Sequence, residues 1–224
     1  MPSFGTVIFD CDSTLSTIEG IEDLAADRAD EIARLTQLAM DGQVPLEEVY
    51  GLRIEQVRPS RQRVERLGHR YIETMVADVP RVVRDLMAAG IDVRIVSGGL
   101  KPAILILAAH LGIRPEAVAA VDVVFGPDGS YAGFDAQSPL TTAGGKRRVI
   151  EAWKPSLRAP VMLVGDGATD LEAKPAVDMF VAYTGVKDRA TIRRRADVVI
   201  EGPSPLPVVK LALGTVTRTE GTSA

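Results

Sequence analysis

The chain has little cysteine and no obvious segment for export or membrane insertion. Its single cysteine, Cys11, cannot form an intrachain disulfide, which fits a reducing compartment. The segment MPSFGTVIFD lacks a basic stretch followed by a long apolar one, so we expect no secretory signal. No apolar run approaches the roughly 20 residues that a membrane-spanning helix requires. The sequence therefore predicts a cytoplasmic protein without a membrane partner.

The chain also lacks an excess of basic residues and is poor in aromatic ones. The net charge is −4 and the isoelectric point is about 5.3, so no basic surface for nucleic acid is expected. Aromatic residues make up 4% of the chain and form no platform on which bases could stack. The two histidines, His69 and His110, are far apart and make no zinc motif. These absences favour a small-molecule partner over nucleic acid.

An alternation of strand and helix patterns runs through most of the chain. The 224 residues are 46% hydrophobic and 25% charged, which suits one large domain or a core domain with a small insert. The first strand is predicted over Thr6–Phe9. From Pro80 onward helices and strands alternate, apart from one hairpin predicted over 121–134 with its turn at 127–129. The strand before the hairpin is predicted to run into a glycine-rich turn at 97–99. We predict an α/β fold with a Rossmann-like parallel sheet.

The segment that follows the first strand has a different pattern. It contains helical periodicities, among them one over 30–42 and one that begins after Ser60, a candidate N-cap. No strand pattern interrupts them. We predict a core domain of residues 1–16 and 78–224 and a helical cap of residues 17–77. An insert in this position often covers an active site.

Acidic and polar residues follow several of the predicted strands. Asp10 and Asp12 come directly after the first strand, Ser97 and Gly98 follow the strand DVRIV, and the loop GDGATD follows VMLV. Ligands of open α/β sheets bind beyond the carboxyl ends of the parallel strands, so these groups are expected to meet at one edge. Lys146, which opens a helix behind two glycines, is expected to join them.

This set of side chains suits phosphoryl transfer through an aspartyl-phosphate. A carboxylate can be the nucleophile, and clustered carboxylates bind Mg²⁺, which reduces the repulsion between carboxylate and phosphate. Lys146 can neutralise phosphoryl oxygens, while Ser97 and glycine N–H groups can hold them. A second acid two residues after the nucleophile can protonate the leaving group and then activate water. Each motif alone is common, but their occurrence at successive strand ends favours this function.

The motifs resemble those of the haloacid dehalogenase superfamily of phosphatases. FDCDSTL, SGG, GGK and GDGATD occur in that superfamily's order. EGIEDLA, AMDGQVPLEEV, PSRQRV, YAGFD and GGKRRVI are similar to the phosphoserine phosphatase family within it. The resemblance runs from about Val7 to Val199, including the helical insert. It implies a Mg²⁺-dependent hydrolysis of O-phospho-L-serine to L-serine and phosphate, the last step of L-serine biosynthesis.

The resemblance also implies the roles of the catalytic and metal-binding residues. Asp10 would be the nucleophile and a Mg²⁺ ligand. Asp12 would be the general acid and base and would offer the metal its backbone carbonyl. Asp166 would be a direct ligand, and Asp170 would support the metal site.

Further residues are implied to bind the substrate. Those at the phosphoryl group are Ser97, Gly98, Lys146 and Thr169. In the insert, Glu19 would face the substrate ammonium, Arg53 its carboxylate, and Met40 would close over the substrate. These assignments agree with the charges of phosphoserine, because Arg suits a carboxylate better than Lys does.

Three other functions are compatible with the same residues. The aspartyl-phosphate could transfer its phosphoryl group to an alcohol such as homoserine, or the substrate could be a sugar phosphate or phosphothreonine. A non-enzymatic alternative is a receiver-like switch domain, which also phosphorylates an Asp at a strand end beside Mg²⁺. The insert and the GDGATD loop argue against that switch. We expect a monomer or a homodimer.

Overall fold

The fold is described over residues 3–25, 34 and 46–215 in a computed structural model. The strands are β1 (Thr6–Phe9), β2 (Asp92–Leu100), β3 (Val118–Val121), β4 (Val123–Phe125), β5 (Tyr131–Phe134), β6 (Val161–Gly165), β7 (Met179–Tyr183) and β8 (Val198–Ile200). The helices are α1 (Gly20–Ala25), α2 (Leu46–Val57), α3 (Arg61–Glu73), α4 (Val79–Ala88), α5 (Lys101–His110), α6 (Gly145–Trp153), α7 (Ala168–Ala173), α8 (Ala190–Arg195) and α9 (Pro207–Leu213). Within these ranges no helix is long and apolar enough to cross a membrane.

Six strands form one parallel sheet in the order β3-β2-β1-β6-β7-β8. β1 lies in the middle, between β2 and β6, and all four of its residues are buried. The apolar runs of β1 and β6 are what strands covered on both faces require. The prediction of an α/β fold with a parallel sheet is confirmed.

Capping residues and glycines set the ends of several helices. The Ser60 side chain accepts a hydrogen bond from the Arg63 backbone N–H at 3.4 Å, which confirms the predicted N-cap of α3. After α4 and α5 the chain passes through Gly90 (φ +80°) and Gly112 (φ +73°). These left-handed conformations favour glycine and end both helices.

The helices that follow β1 pack against the core helices. α3 crosses α5 so closely that a Cβ at Gly68 would lie 2.7 Å from Ile106 Cδ1. The division into a core of 1–16 and 78–224 and a cap of 17–77 stays a prediction. The helix predicted over 30–42, and Met40 within it, lie outside the described residues apart from Arg34, which is helical.

The β4–β5 hairpin packs against α2, a contact that the sequence did not predict. The Tyr50 and Phe134 rings are tilted, with their centroids 5.5 Å apart. The Tyr131 hydroxyl donates to Glu55 Oε1 at 2.8 Å. The hairpin therefore holds α2 beside the carboxyl edge of the sheet.

Two sequence predictions about strand ends were wrong in detail. Ser97, Gly98 and Gly99 belong to β2, which runs on to Leu100 with a register shift against β3. The glycines therefore lie in an irregular strand end and not in a turn. Val121, read as the start of the hairpin, instead belongs to β3 at the edge of the main sheet. Only Asp122 separates β3 from β4, and the residues on both sides of it are apolar. The pattern alone therefore does not show that the two strands belong to different sheets.

Candidate active site

The carboxyl ends of β1, β2 and β6 border one cavity of about 100 Å³. The predicted site residues that line it are Asp10, Asp12, Glu19, Arg53, Ser97, Gly98, Lys146, Asp166 and Thr169. Ile21, Tyr50, Leu140, Gly167 and Arg189 complete the lining. Asp170 lies directly behind it, and Met40 is outside the described residues. The parallel strands thus bring together groups that are distant in the sequence.

Asp10 and Lys146 form a buried ion pair at the end of β1. They are 7% and 5% exposed, and the Lys146 Nζ lies 2.7 Å from Asp10 Oδ1 and 2.7 Å from Asp170 Oδ1. Burial would lower the pKa of Lys146, but the two carboxylates outweigh burial and raise that pKa. Burial raises the pKa of Asp10 strongly, against the opposing charge of Lys146. The buried Lys146 ammonium group thus orients the carboxylates of both Asp10 and Asp170.

Asp12 is held through one of its two oxygens. Oδ1 accepts hydrogen bonds from the Tyr71 hydroxyl at 2.6 Å and from the Gly20 N–H at 3.2 Å. Burial, together with the charge of Glu19, raises the pKa of Asp12 to about 7, while both hydrogen bonds oppose the rise. A Cβ at Gly20 would lie 2.0 Å from the Tyr71 hydroxyl oxygen, so this contact requires glycine. With Oδ1 occupied, the second oxygen is the one left for chemistry.

Asp166 lies in the loop between β6 and α7, and Asp170 lies in the first turn of α7. Asp166 contacts the Arg189 guanidinium and accepts a hydrogen bond from the Thr14 hydroxyl at 3.2 Å. Burial raises the pKa of Asp166 to about 6, although the charge of Arg189 lowers it. Asp170 accepts a hydrogen bond from the Gly167 N–H at 3.0 Å. Its side chain packs against Gly165, where a Cβ would lie 2.2 Å from Asp170 Cγ.

Three of these acids are placed to hold a cation. Carboxylate oxygens of Asp10, Asp166 and Asp170 lie within 4.8 Å of one another, and all three residues are buried. Burial raises the pKa values of Asp10 and Asp166 even though Lys146 and Arg189 lie beside them, so a further cation would favour the ionised carboxylates. Oxygen ligands of this kind suit a hard divalent cation. The residues therefore fit a metal ion.

Glu19 is already paired within the protein. Its Oε1 accepts hydrogen bonds from the Ser13 hydroxyl at 2.6 Å and from the Lys187 Nζ at 2.6 Å. Burial raises the pKa of Glu19, but Lys187 and Ser13 outweigh burial, so the pKa is lowered. The residue predicted to meet a substrate ammonium therefore meets a lysine ammonium in this structure.

Several residues of the site were not selected from the sequence. Tyr71 contacts Asp12 across 59 residues, Lys187 contacts Glu19 across 168, and Arg189 contacts Asp166 across 23. No local motif signals such contacts, because each depends on how separate elements pack. The only available signal for Tyr71 was its place on the apolar face of α3.

Comparison with known proteins agrees with this geometry. The family model of haloacid dehalogenase-like hydrolases matches residues 4–178. The chain therefore belongs to the haloacid dehalogenase-like hydrolases, as the motifs predicted, and it is an enzyme.

Within that family the chain is similar to phosphoserine phosphatases. It is 36% identical over 203 residues to the chloroplastic phosphoserine phosphatase of Arabidopsis thaliana, covering 88% of this chain and 69% of that one. It is 33% identical over 198 residues to phosphoserine phosphatase of Bos taurus, covering 87% of this chain and 88% of the relative. A solved structure of a phosphoserine phosphohydrolase-like protein from Francisella tularensis superposes with a TM-score of 0.79 at 25% identity, covering 87% of this chain and 94% of that one. The predicted resemblance is confirmed.

Proposed function

We propose that the chain hydrolyses O-phospho-L-serine to L-serine and phosphate, with Mg²⁺ as cofactor and an aspartyl-phosphate as intermediate. The main support for this proposal is that one cavity contains both groups suited to phosphoryl transfer and groups suited to binding an amino acid. Asp10, Asp12 and Lys146 suit phosphoryl transfer, and Glu19 and Arg53 suit the ammonium and carboxylate of an amino acid. The similarity to enzymes named phosphoserine phosphatase supports the same substrate.

The first half of the reaction transfers the phosphoryl group to the protein. A carboxylate oxygen of Asp10 attacks phosphorus in line, and the bond from phosphorus to the serine oxygen breaks. Asp12 donates a proton to that oxygen, so that serine leaves as a neutral alcohol. Lys146, Ser97 and the Gly98 N–H hold the phosphoryl oxygens during the transfer.

The second half returns the enzyme to its starting state. Asp12, now a carboxylate, accepts a proton from water, and the water oxygen attacks phosphorus. The bond between phosphorus and Asp10 breaks, and phosphate leaves. The hydrogen bonds from Tyr71 and Gly20 to Oδ1 support this role, because they fix the orientation of Asp12 for both steps.

Mg²⁺ would be held by the carboxylates of Asp10 and Asp166, with Asp170 beside them and the Asp12 carbonyl as a further predicted ligand. When bound, Mg²⁺ supplies positive charge to the phosphoryl oxygens. Thr169 lines the same cavity and is assigned to the phosphoryl group. The cytoplasmic location and the monomeric or dimeric state stay predictions.

A phosphomonoester without an amino group is a second candidate substrate. The observation that favours it is the contact of Lys187 with Glu19 at 2.6 Å, since Lys187 fills the role expected of a substrate ammonium. Phosphoglycerate, which keeps the carboxylate but has no ammonium group, is the compound that separates this candidate from phosphoserine.

Phosphate release by the purified protein with Mg²⁺ tests the proposal. Phosphoserine should be the preferred substrate over phosphothreonine, phosphoglycerate and a sugar phosphate, with no acceptor alcohol present. EDTA and Asp10→Asn should each abolish release, whereas Asp128→Asn, in the exposed hairpin turn, should leave release unchanged. A preference for phosphoglycerate would show that phosphoserine is not the substrate, while the proposed mechanism of phosphoryl transfer would stand. Transfer of the phosphoryl group to added homoserine without release of free phosphate, or full activity of Asp10→Asn, would overturn the proposal.

A further inference from the structure

Tyr50 carries a buried hydroxyl that has no hydrogen-bond partner within the described residues. The residue is 4% exposed, and its hydroxyl oxygen is sealed from solvent. Buried hydroxyl groups nearly always have a partner, because leaving one unsatisfied forfeits its hydration. An unpartnered hydroxyl in a protein interior therefore calls for an explanation, and a bound ligand is one.

The position of Tyr50 says where that ligand would lie. Tyr50 lines the same cavity as Asp10, Asp12 and Ser97. Its ring is fixed from behind by Phe134, at a centroid distance of 5.5 Å. The contact between α2 and the β4–β5 hairpin therefore holds the Tyr50 ring in the wall of this cavity.

Arg53 presents a second unpartnered donor next to the first. It follows Tyr50 by three residues on α2, so both side chains lie on the same face of the helix. The Arg53 Nε is also buried without a partner in the part of the chain that the structure describes. Burial raises the pKa of the Tyr50 hydroxyl, so the group keeps its proton and can donate it. Two neighbouring donors with no acceptor suit an anion.

We propose that the Tyr50 hydroxyl binds the carboxylate of the substrate together with Arg53, and that Tyr50 is a further specificity-determining residue of this enzyme. The proposal rests on the proposed function and deepens it. A carboxylate has two oxygens and accepts hydrogen bonds from both donors at once. The phosphoryl group is held elsewhere in the cavity, by Lys146 and Ser97.

The test is the variant Tyr50→Phe with two substrates. Phenylalanine keeps the ring and its contact with Phe134 and removes only the hydroxyl. Phosphoserine has the carboxylate, and phosphoethanolamine lacks it but keeps the phosphate and the ammonium. We expect kcat/KM for phosphoserine to fall about 10- to 100-fold, mainly through KM, because the contact exists in ground state and transition state alike. For phosphoethanolamine we expect a change of less than about twofold.

Tyr131→Phe is the matched control. It also removes a tyrosine hydroxyl near α2, but that hydroxyl donates to Glu55 and does not line the cavity. We expect Tyr131→Phe to leave the ratio of the two kcat/KM values unchanged. The Tm of Tyr50→Phe should equal or exceed that of the wild type, because the lost hydroxyl has no partner among the residues that the structure describes.

The outcomes separate this inference from the proposed function. Selective loss on phosphoserine supports the role of Tyr50. Wild-type preference for phosphoserine with equal loss on both substrates, or with no loss, overturns the role of Tyr50 and leaves the proposed function standing. A wild-type protein that does not hydrolyse phosphoserine overturns both.

Discussion

Asp166→Asn should make the metal-free protein more stable at neutral pH, although it removes a charged partner of Arg189. Asp166 is 5% exposed, and burial raises its pKa from 3.8 to about 6 despite the contact with Arg189. The net effect of the site on ionised Asp166 is thus unfavourable without a cation. Asparagine resembles the neutral acid, and Arg189 keeps its hydrogen bond to the Asp166 backbone carbonyl at 3.0 Å.

The size and the pH dependence of the effect follow from that pKa. A tenfold change in an acid constant corresponds to about 1.4 kcal/mol, so ionising Asp166 lowers the free energy of unfolding by about 3 kcal/mol. Below pH 3.8 the carboxyl is protonated in the folded and unfolded states, so variant and wild type are alike. The contribution of protonated Asp166 to the free energy of unfolding of the wild type is lost as the pH rises through about 6. For a chain of this length the variant should then melt roughly 6 to 12 °C higher.

Thermal unfolding in EDTA between pH 4 and 8 measures this difference. Saturating Mg²⁺ should raise the Tm of the wild type more than that of Asp166→Asn, because the variant lacks one of the charged carboxylates that would hold the ion. Asp188→Asn is the control: Asp188 is an exposed acid whose pKa is lowered by Arg193, so its loss should not stabilise the protein. A Tm for Asp166→Asn equal to or below that of the wild type in EDTA at pH 7 would refute the reasoning.

Three further substitutions test individual contacts of the site. Tyr71→Phe removes a hydrogen bond to Asp12 and should lower kcat about tenfold or more with little change in KM, measured by steady-state phosphate release; an unchanged kcat would contradict the orienting role. Lys187→Met frees Glu19 and should lower KM for phosphoserine by up to about fivefold, since the lysine no longer competes with the substrate ammonium; a higher KM would show that Lys187 assists binding instead. Gly165→Ala places a Cβ at the end of β6 against Asp170 and should cost about 1–3 kcal/mol of stability in urea unfolding. An unchanged midpoint would mean that the first turn of α7 moves aside without cost.

The sequence by itself determined the parallel sheet, apart from its edge strand β3, and the edge at which the candidate site lies. Asp10 and Asp166 each follow a short apolar run, and Ser97 follows the strand pattern DVRIV. Their alternation with helical patterns predicts buried parallel strands of an α/β protein. Parallel strands end on the same side of the sheet, so the side chains that follow them must meet there. Lys146 could be added because it opens a helix behind Gly144 and Gly145.

Only the tertiary structure decided which partner each residue of the candidate site has. Tyr71 reaches Asp12, Lys187 reaches Glu19, and Tyr50 faces the cavity without a partner among the described residues. These outcomes depend on the angle and rotation of helices and loops that pack across large sequence separations. A helical period tells which face of a helix is apolar, but not which neighbour that face meets. The same reason explains why the hairpin could be predicted as a turn between strands while its contact with α2 could not.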